Sequence, residues 1–329
     1  MKISIALASY NGARFIGEQL RSFADQSLPP DELVICDDGS TDETARIVAD
    51  FAAAAPFAVH FHANPERIGY ARNFEKAVLL CRGDIVFLSD QDDVWFPDKL
   101  ARVAALLESD PSAQVVVNDQ ILTDAELNHS GITKLGNLRR LGTGSDGLIE
   151  GCCTAFRRRW AQLLLPIPAA ADDQIRRSLQ SHDRWINELA MLLAVRRVID
   201  APLQYFRRYG TNTTDWMVSE PREIGVGDLV SARLKSAPVD GWTDRVGVLQ
   251  IYQDWLFANA AALGVAGITG AARALAELAR ERRSLEARIR LVQTPLHRRL
   301  PMIARLLAEG GYGYFYGWKS AVRDVVRSA

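Results

Sequence analysis

The sequence predicts an α/β fold in which a mostly parallel central sheet is flanked by helices and followed by a C-terminal helical appendage. Three observations carry this expectation. Short apolar runs alternate with helical patterns over roughly the first hundred residues, the rhythm of strands joined by crossover helices. Each apolar run ends in a polar loop, and in parallel sheets such loops share the carboxyl edge, where ligands bind. The last third changes to long helical periodicity with a basic and aromatic tail.

The elements follow in order. Lys2 to Ala8 is a short apolar strand ending at Ser9-Tyr10-Asn11-Gly12, a turn with Asn and Gly in favourable order. Phe15, Ile16, Leu20 and Phe23 then fall on one helical face. Pro29-Pro30 breaks the chain before a second buried strand, Glu32-Leu33-Val34-Ile35-Cys36, which ends at Asp37-Asp38-Gly39-Ser40-Thr41-Asp42. Ser40 or Thr41 can cap the helix that follows. Gly12 and Gly39 read as turn residues.

The most informative segment is Asp90-Gln91-Asp92-Asp93, at the end of the apolar run Ile85-Val86-Phe87-Leu88. Three acids within four residues repel one another unless a cation or a ligand offsets their charge. Hard divalent cations take such oxygen ligands, and Mg²⁺ sites commonly combine one or two carboxylates with substrate phosphates. Taken alone, the segment also fits a solvated acidic turn.

Ala8-Ser9-Tyr10-Asn11-Gly12, Asp37-Asp38-Gly39-Ser40-Thr41-Asp42 and Leu88-Ser89-Asp90-Gln91-Asp92-Asp93-Val94-Trp95 together resemble the three signatures of family 2 glycosyltransferases. The likeness is to the bacterial rhamnosyltransferase-like branch that builds surface polysaccharide. Asn64 to Glu75 also resembles the family's segment leading to its acidic motif, and the set covers about the first 115 residues. The resemblance implies a GT-A fold, Rossmann-like with a mostly parallel sheet, a nucleotide-sugar donor and inversion at the anomeric carbon. It also implies a divalent metal, Mn²⁺ or Mg²⁺. Nucleotide-sugar contacts are then implied for Ala8, Ser9, Tyr10, Asn11, Asp38, Arg72, Asp90 and Gln91. Asp38 matches the carboxylate that accepts from N3–H of uracil or thymine; cytosine, an acceptor at N3, is disfavoured there. Asp92 and Asp90 are the implied metal ligands, Asp92 the direct one. Arg72 or Arg67 would reach the diphosphate, and Trp95 reads as core.

In the second half, Glu150-Gly151-Cys152-Cys153-Thr154-Ala155-Phe156 resembles the small-residue strand lining the acceptor side, which assigns Gly151 and Cys152 to acceptor binding. A loop is expected near Pro166 to Asp173. Ser181-His182-Asp183-Arg184-Trp185 then resembles the segment whose acid is the general base. Asp183 would take the proton from an attacking hydroxyl; its alternative is a helix N-cap. Trp185 would form an apolar wall for the acceptor, and His182 reads as structural. One departure stands out in Tyr205 to Asn212: Tyr209 occupies the place where the family often has His. A phenol with pKa near 10 is a poor metal ligand at neutral pH, so the third protein ligand is open. Arg207 and Arg208 are candidates for the diphosphate or for a solvated basic edge.

The length allows one sizeable α/β domain plus an appendage, and the resemblance implies a catalytic domain over 1–214, with a nucleotide-sugar half at 1–115 and an acceptor half at 116–214, followed by a mainly helical region over 215–329. A net charge of −1 over 329 residues argues against a nucleic-acid partner. No apolar stretch reaches the roughly 18 residues of a membrane span, and the first apolar run is too short for a signal peptide. Cys36, Cys81, Cys152 and Cys153 lack metal or disulfide spacing, which fits reduced thiols and a cytoplasmic location. Residues 215–240 read as loop, and Ala271 to Val292 as a helix whose apolar stripe Arg282 interrupts. Ala271 to Ala329 carries +7 and, with Tyr312, Tyr314, Phe315, Tyr316 and Trp318, suits peripheral contact with the inner face of an anionic plasma membrane. The alternative is an appendage packed on the catalytic domain or on a second copy, as in a homo-oligomer.

Three other classes fit the sequence less well. A dehydrogenase lacks its Gly-x-Gly-x-x-Gly turn here. A metal-dependent nucleotidyltransferase would carry a Gly- and basic-rich phosphate loop after the first strand. A non-catalytic carbohydrate-binding protein would have no need of Asp38, Asp92 and Asp183.

Overall fold

In the computed structural model, residues 1–168, 182–210, 219–225, 239–315 and 317–326 are described. The chain divides into two compact units. The first comprises Met1–Ile167, Ser181–Met191 and Val195–Ala232; the second comprises Pro168–Gln180, Leu192–Ala194 and Arg233–Ala329.

The first unit is built on an eight-stranded sheet: β1 (Ile3–Ser9), β2 (Glu32–Asp37), β3 (Ala58–Ala63), β4 (Ile85–Ser89), β5 (Val94–Trp95), β6 (Val115–Thr123), β7 (Thr154–Arg157) and β8 (Arg196–Arg207). Their order is β3-β2-β1-β4-β7-β6-β8-β5. β3, β2, β1 and β4 pair in parallel, β6 pairs in parallel with β8, and β4–β7, β6–β7 and β5–β8 are antiparallel. Helices α1 (Ile16–Ala24), α2 (Thr44–Ala52), α3 (Tyr70–Leu80), α4 (Lys99–Ser109), α5 (Lys134–Leu141), α6 (Arg158–Leu164) and α7 (His182–Leu192) accompany it.

β2 and β4 are buried along their whole length, and β1 at all but Ala8, as strands covered on both faces must be. Their apolar residues join Ile16, Leu20 and Phe23 of α1 and Leu100, Val103 and Leu107 of α4 in one core. Burying each such side chain contributes about 1.5–3 kcal/mol. Because β1, β2 and β4 run in register, the loops after Ser9, Asp37 and Ser89 emerge together at one edge. Trp95 belongs to the core as expected, its ring edge-on to Phe23 at 4.7 Å.

The second unit contains helices α8 (Val239–Asn259), α9 (Gly264–Gln293), α10 (Arg299–Ala308) and α11 (Trp318–Val326). Arg282, which interrupts the apolar stripe of α9, donates to Gln250 on α8 and to Glu286. Much of the tail's basic and aromatic character faces inward. Arg288 makes a fork to Asp324 at 2.7 and 2.8 Å and lies over the Trp242 and Phe315 rings, while the Tyr312 hydroxyl donates to the same carboxylate. Arg299, also buried, donates to the carbonyls of Val292, Thr294 and Asp324. Among the described residues, no helix is long and apolar enough to cross a membrane. Most of the expected loops, 169–173, 215–218 and 226–238, and also Thr211, Asn212 and Tyr316, lie outside the described residues.

Candidate active site

The three strand-end loops are sewn together by side chains from one another. Asn11 adopts a left-handed backbone (φ 46°), a conformation that Asn tolerates better than most residues. Its side-chain oxygen accepts from Thr41 N at 2.9 Å, and its own N–H donates to Ser40 Oγ. Ser9 Oγ and Ser40 Oγ both donate to the buried Asp37 carboxylate, so Asp37 organises the loop pair. Gln91 bridges from the acidic loop, accepting from Tyr10 N at 2.9 Å and donating to Tyr10 O at 3.1 Å. Gln91, expected on the nucleotide sugar, pairs its amide with the Tyr10 backbone in this structure. Gly12 is explained by the same contact, because a Cβ there would stand 2.2 Å from Gln91 Oε1. Close approach rather than turn conformation requires this glycine, whereas Gly39 has the left-handed φ of +80° expected of a turn.

Asp38 is 3% exposed. Its Oδ1 accepts from Ile68 N (2.7 Å) and Asn64 Nδ2 (3.1 Å), and its Oδ2 accepts from Gly69 N (2.9 Å) with Arg67 Nε 3.7 Å away. The Arg67 guanidinium also lies 4.0 Å from the Tyr10 ring centroid. The two side chains expected to meet the base therefore meet Arg67. Arg72 is exposed on α3.

The acidic loop is held from below by a buried polar network that sequence reading missed. Lys99, 1% exposed, donates to Cys152 O at 2.9 Å and to Gln204 Oε1, and its ammonium lies 3.9 Å from the Trp95 ring centroid. Gln204 Nε2 donates to Asp93 Oδ2 and to Gln120 Oε1, both at 3.0 Å. Burial lowers the Lys99 pKa and raises that of Asp93, which Asp92 raises further. A charged or polar group at such depth needs partners, and these residues supply them to one another. The available signal was Lys99 on an otherwise apolar helix face and the polar run Asn118-Asp119-Gln120 directly after three strand valines.

Asp90 and Asp92 are half-buried at the mouth of this network. Burial, then Asp92, Asp93 and Asp183, hold the Asp90 carboxyl well above the usual carboxylate range. Tyr209 OH donates to Asp92 Oδ2 at 2.5 Å, and burial followed by the Asp92 charge keeps the phenol protonated. Among the described residues, Asp90, Asp93 and Cys152 bring ligand atoms within 4.8 Å of one another. Asp93, however, is tied to Gln204, and the Cys152 thiol is buried with its pKa raised well above the usual thiol value. A hard divalent cation therefore fits better at the half-open oxygens of Asp90 and Asp92, where it relieves the repulsion that raises Asp90. The guanidinium of Arg207, expected near the diphosphate or in solvent, is buried and donates to Asp92 O, Ala125 O and Glu18.

Asp183 joins the same group of acids. It lies within the first turn of α7 rather than ahead of it, and its carboxylate accepts from Gly151 N (3.1 Å) and Arg184 N (2.7 Å). Burial, and secondarily Glu150, raise its pKa to about 7 despite these hydrogen bonds. His182 stacks on Phe74 at 4.2 Å, and burial keeps it neutral with a pKa of about 3. The residues expected on the acceptor side lie inside the fold. Trp185 is 0% exposed and donates from its indole to Leu164 O, and Gly151 and Cys152 are buried. All three have their surfaces covered by the fold, and among them Gly151 serves the site by donating its N–H to Asp183.

Comparison with known proteins agrees with this architecture. Residues 4–164 match the family model described as Glycosyl transferase family 2, and the chain carries a domain of that family with a GT-A fold. It is 32% identical over 123 residues to the putative glycosyltransferase EpsE of Bacillus subtilis, covering 37% of this chain and 44% of that protein. It is 37% identical over 98 residues to the dTDP-rhamnosyl transferase RfbG of Shigella flexneri, covering 29% of this chain and 34% of that protein. These matches span less than half the length of either relative. S. aureus TarS 1-349, solved in complex with UDP, superposes with a TM-score of 0.53 at 15% identity, over 99% of this chain and 89% of that one.

Proposed function

We propose that the protein is an inverting glycosyltransferase that moves a sugar from a UDP- or dTDP-sugar to a hydroxyl of a saccharide or lipid-linked acceptor in bacterial surface polysaccharide synthesis. One observation carries the reading. A carboxyl with a pKa of about 7, Asp183, stands in the field of the acidic loop at the carboxyl edge of a family 2 sheet. A general base works best when its pKa lies near the working pH. Asp183 takes the proton of the acceptor hydroxyl as that oxygen attacks the anomeric carbon, on the face opposite the leaving diphosphate. The N–H groups of Gly151 and Arg184 hold the carboxylate in place for this transfer. Asp92 and Asp90 would hold a divalent cation, which supplies positive charge against the diphosphate. The name of the Shigella relative makes L-rhamnose the first sugar to test.

Asp38 selects the base. A carboxylate has about four acceptor positions, and here three are taken by Ile68 N, Asn64 and Gly69 N. The fourth, beside Arg67, suits one N3–H donor. Calorimetric titration with UDP, dTDP and CDP in the presence of Mn²⁺ should show binding of the first two and much weaker binding of CDP. Equal affinity for CDP would assign Asp38 to holding the 64–69 loop alone.

The exposed face of the second unit suits a bilayer surface at which a lipid-linked acceptor resides. Leu296, Leu300 and Leu307, and Trp318 and Val322, lie exposed with Arg298, Arg305 and Lys319 among them. Each basic residue near an anionic surface contributes on the order of 1 kcal/mol. The protein should therefore co-sediment with anionic liposomes at low salt. It should be released at 1 M salt, where the Debye length falls to about 3 Å. Absence of co-sedimentation at low salt would remove this contact from the account.

A further inference from the structure

We infer that Tyr209 is a positioning residue for the cation site, holding the Asp92 carboxylate in the orientation that meets a divalent cation; the inference rests on the metal reading given above. Asp92 is gripped at both ends by one short segment at the end of β8. Arg207 Nε donates to its main-chain carbonyl at 2.8 Å, and Tyr209 OH donates to its carboxylate at 2.5 Å. Arg207 N also reaches Asp93 Oδ1 at 3.4 Å, fixing the next residue of the loop. Phe15 braces the grip, with the Tyr209 ring 4.8 Å away and the Arg207 guanidinium 4.5 Å from its ring centroid. With Oδ2 held by the phenol, Oδ1 is the oxygen that would meet the cation. A hydrogen-bond donor that orients a ligating carboxylate in this way is worth about 10–100-fold in metal affinity.

Tyr209→Phe keeps the ring on Phe15 and removes only the hydroxyl. Free Mn²⁺ can be followed by electron paramagnetic resonance in the presence of saturating UDP, alongside UDP titration in EDTA. The expected result is an Mn²⁺ dissociation constant raised by about 10–100-fold, with metal-free UDP affinity unchanged. A variant whose Mn²⁺ constant stays within about twofold of wild type would overturn the inference, even if its melting temperature falls, because a purely structural hydroxyl behaves in that way. Wild-type protein that takes up no Mn²⁺ with UDP would overturn the metal reading as well as this inference. Uptake by wild type with no change in the variant would overturn this inference alone.

Discussion

Asp183→Asn is expected to cut sugar transfer by roughly 10²–10⁴-fold, the usual worth of a general base, while leaving nucleotide-sugar binding nearly unchanged. The amide oxygen still accepts from Gly151 N or Arg184 N, so the local structure survives. It cannot take the acceptor's proton. Two pH profiles separate this role from a structural one. Wild-type transfer should climb as pH rises through about 7, where Asp183 loses its proton, and the residual activity of the variant should lack that step. Stability should move the other way. The folded pKa lies above the unfolded value near 3.9, so the stabilising contribution of the protonated group is complete below about pH 4 and is lost as pH rises through about 7. The variant, with nothing to ionise, should gain in melting temperature relative to wild type above pH 7. A variant that melts early at every pH yet turns over at the wild-type rate would make Asp183 a structural group.

The strand-end loops were legible because each is signalled within a few residues. An apolar run buried on both faces and then a cluster of Asn, Gly, Ser or Asp marks the carboxyl edge of a parallel strand, and the structure puts the loops after Ser9, Asp37 and Ser89 there. What escaped depends on partners far along the chain. Gln91 looks like a ligand-binding amide until Tyr10, 81 residues away, takes both of its hydrogen bonds. Lys99 looks like an ordinary helix-start lysine until Gln204, 105 residues away, meets it in the core. Trp185 and Cys152, which the resemblance assigns to the acceptor side, are buried, and their burial depends on what α7 and the turn before β7 pack against. Tyr312 likewise reads as part of a membrane-facing aromatic tail, and only the fold shows it closing, with Arg299, on Asp324. A pattern of residue types gives the period of burial along one element, and the identity of the buried partner comes from the other side of the core.

Asp92→Ala is expected to abolish metal-dependent donor binding with the fold intact. Its main-chain carbonyl still accepts from Arg207, and Asp93 remains anchored to Gln204, so the loop keeps its path. What disappears is one of the two half-open carboxylates, together with the oxygen that Tyr209 orients. The remaining half-open acid, Asp90, already carries a raised pKa, and a single such group is a weak site for a hard cation. The measurement that tests the central claim most directly is therefore the thermal stability of wild type and Asp92→Ala with UDP or dTDP, each with Mn²⁺ and with EDTA. Ligand at 100 times its dissociation constant stabilises by about 2.7 kcal/mol. The account predicts that wild type gains more with Mn²⁺ than with EDTA and that Asp92→Ala gains no more with Mn²⁺ than with EDTA. A wild-type melting temperature that ignores nucleotide and Mn²⁺ alike, or an Asp92→Ala variant that gains as much as wild type, would contradict it.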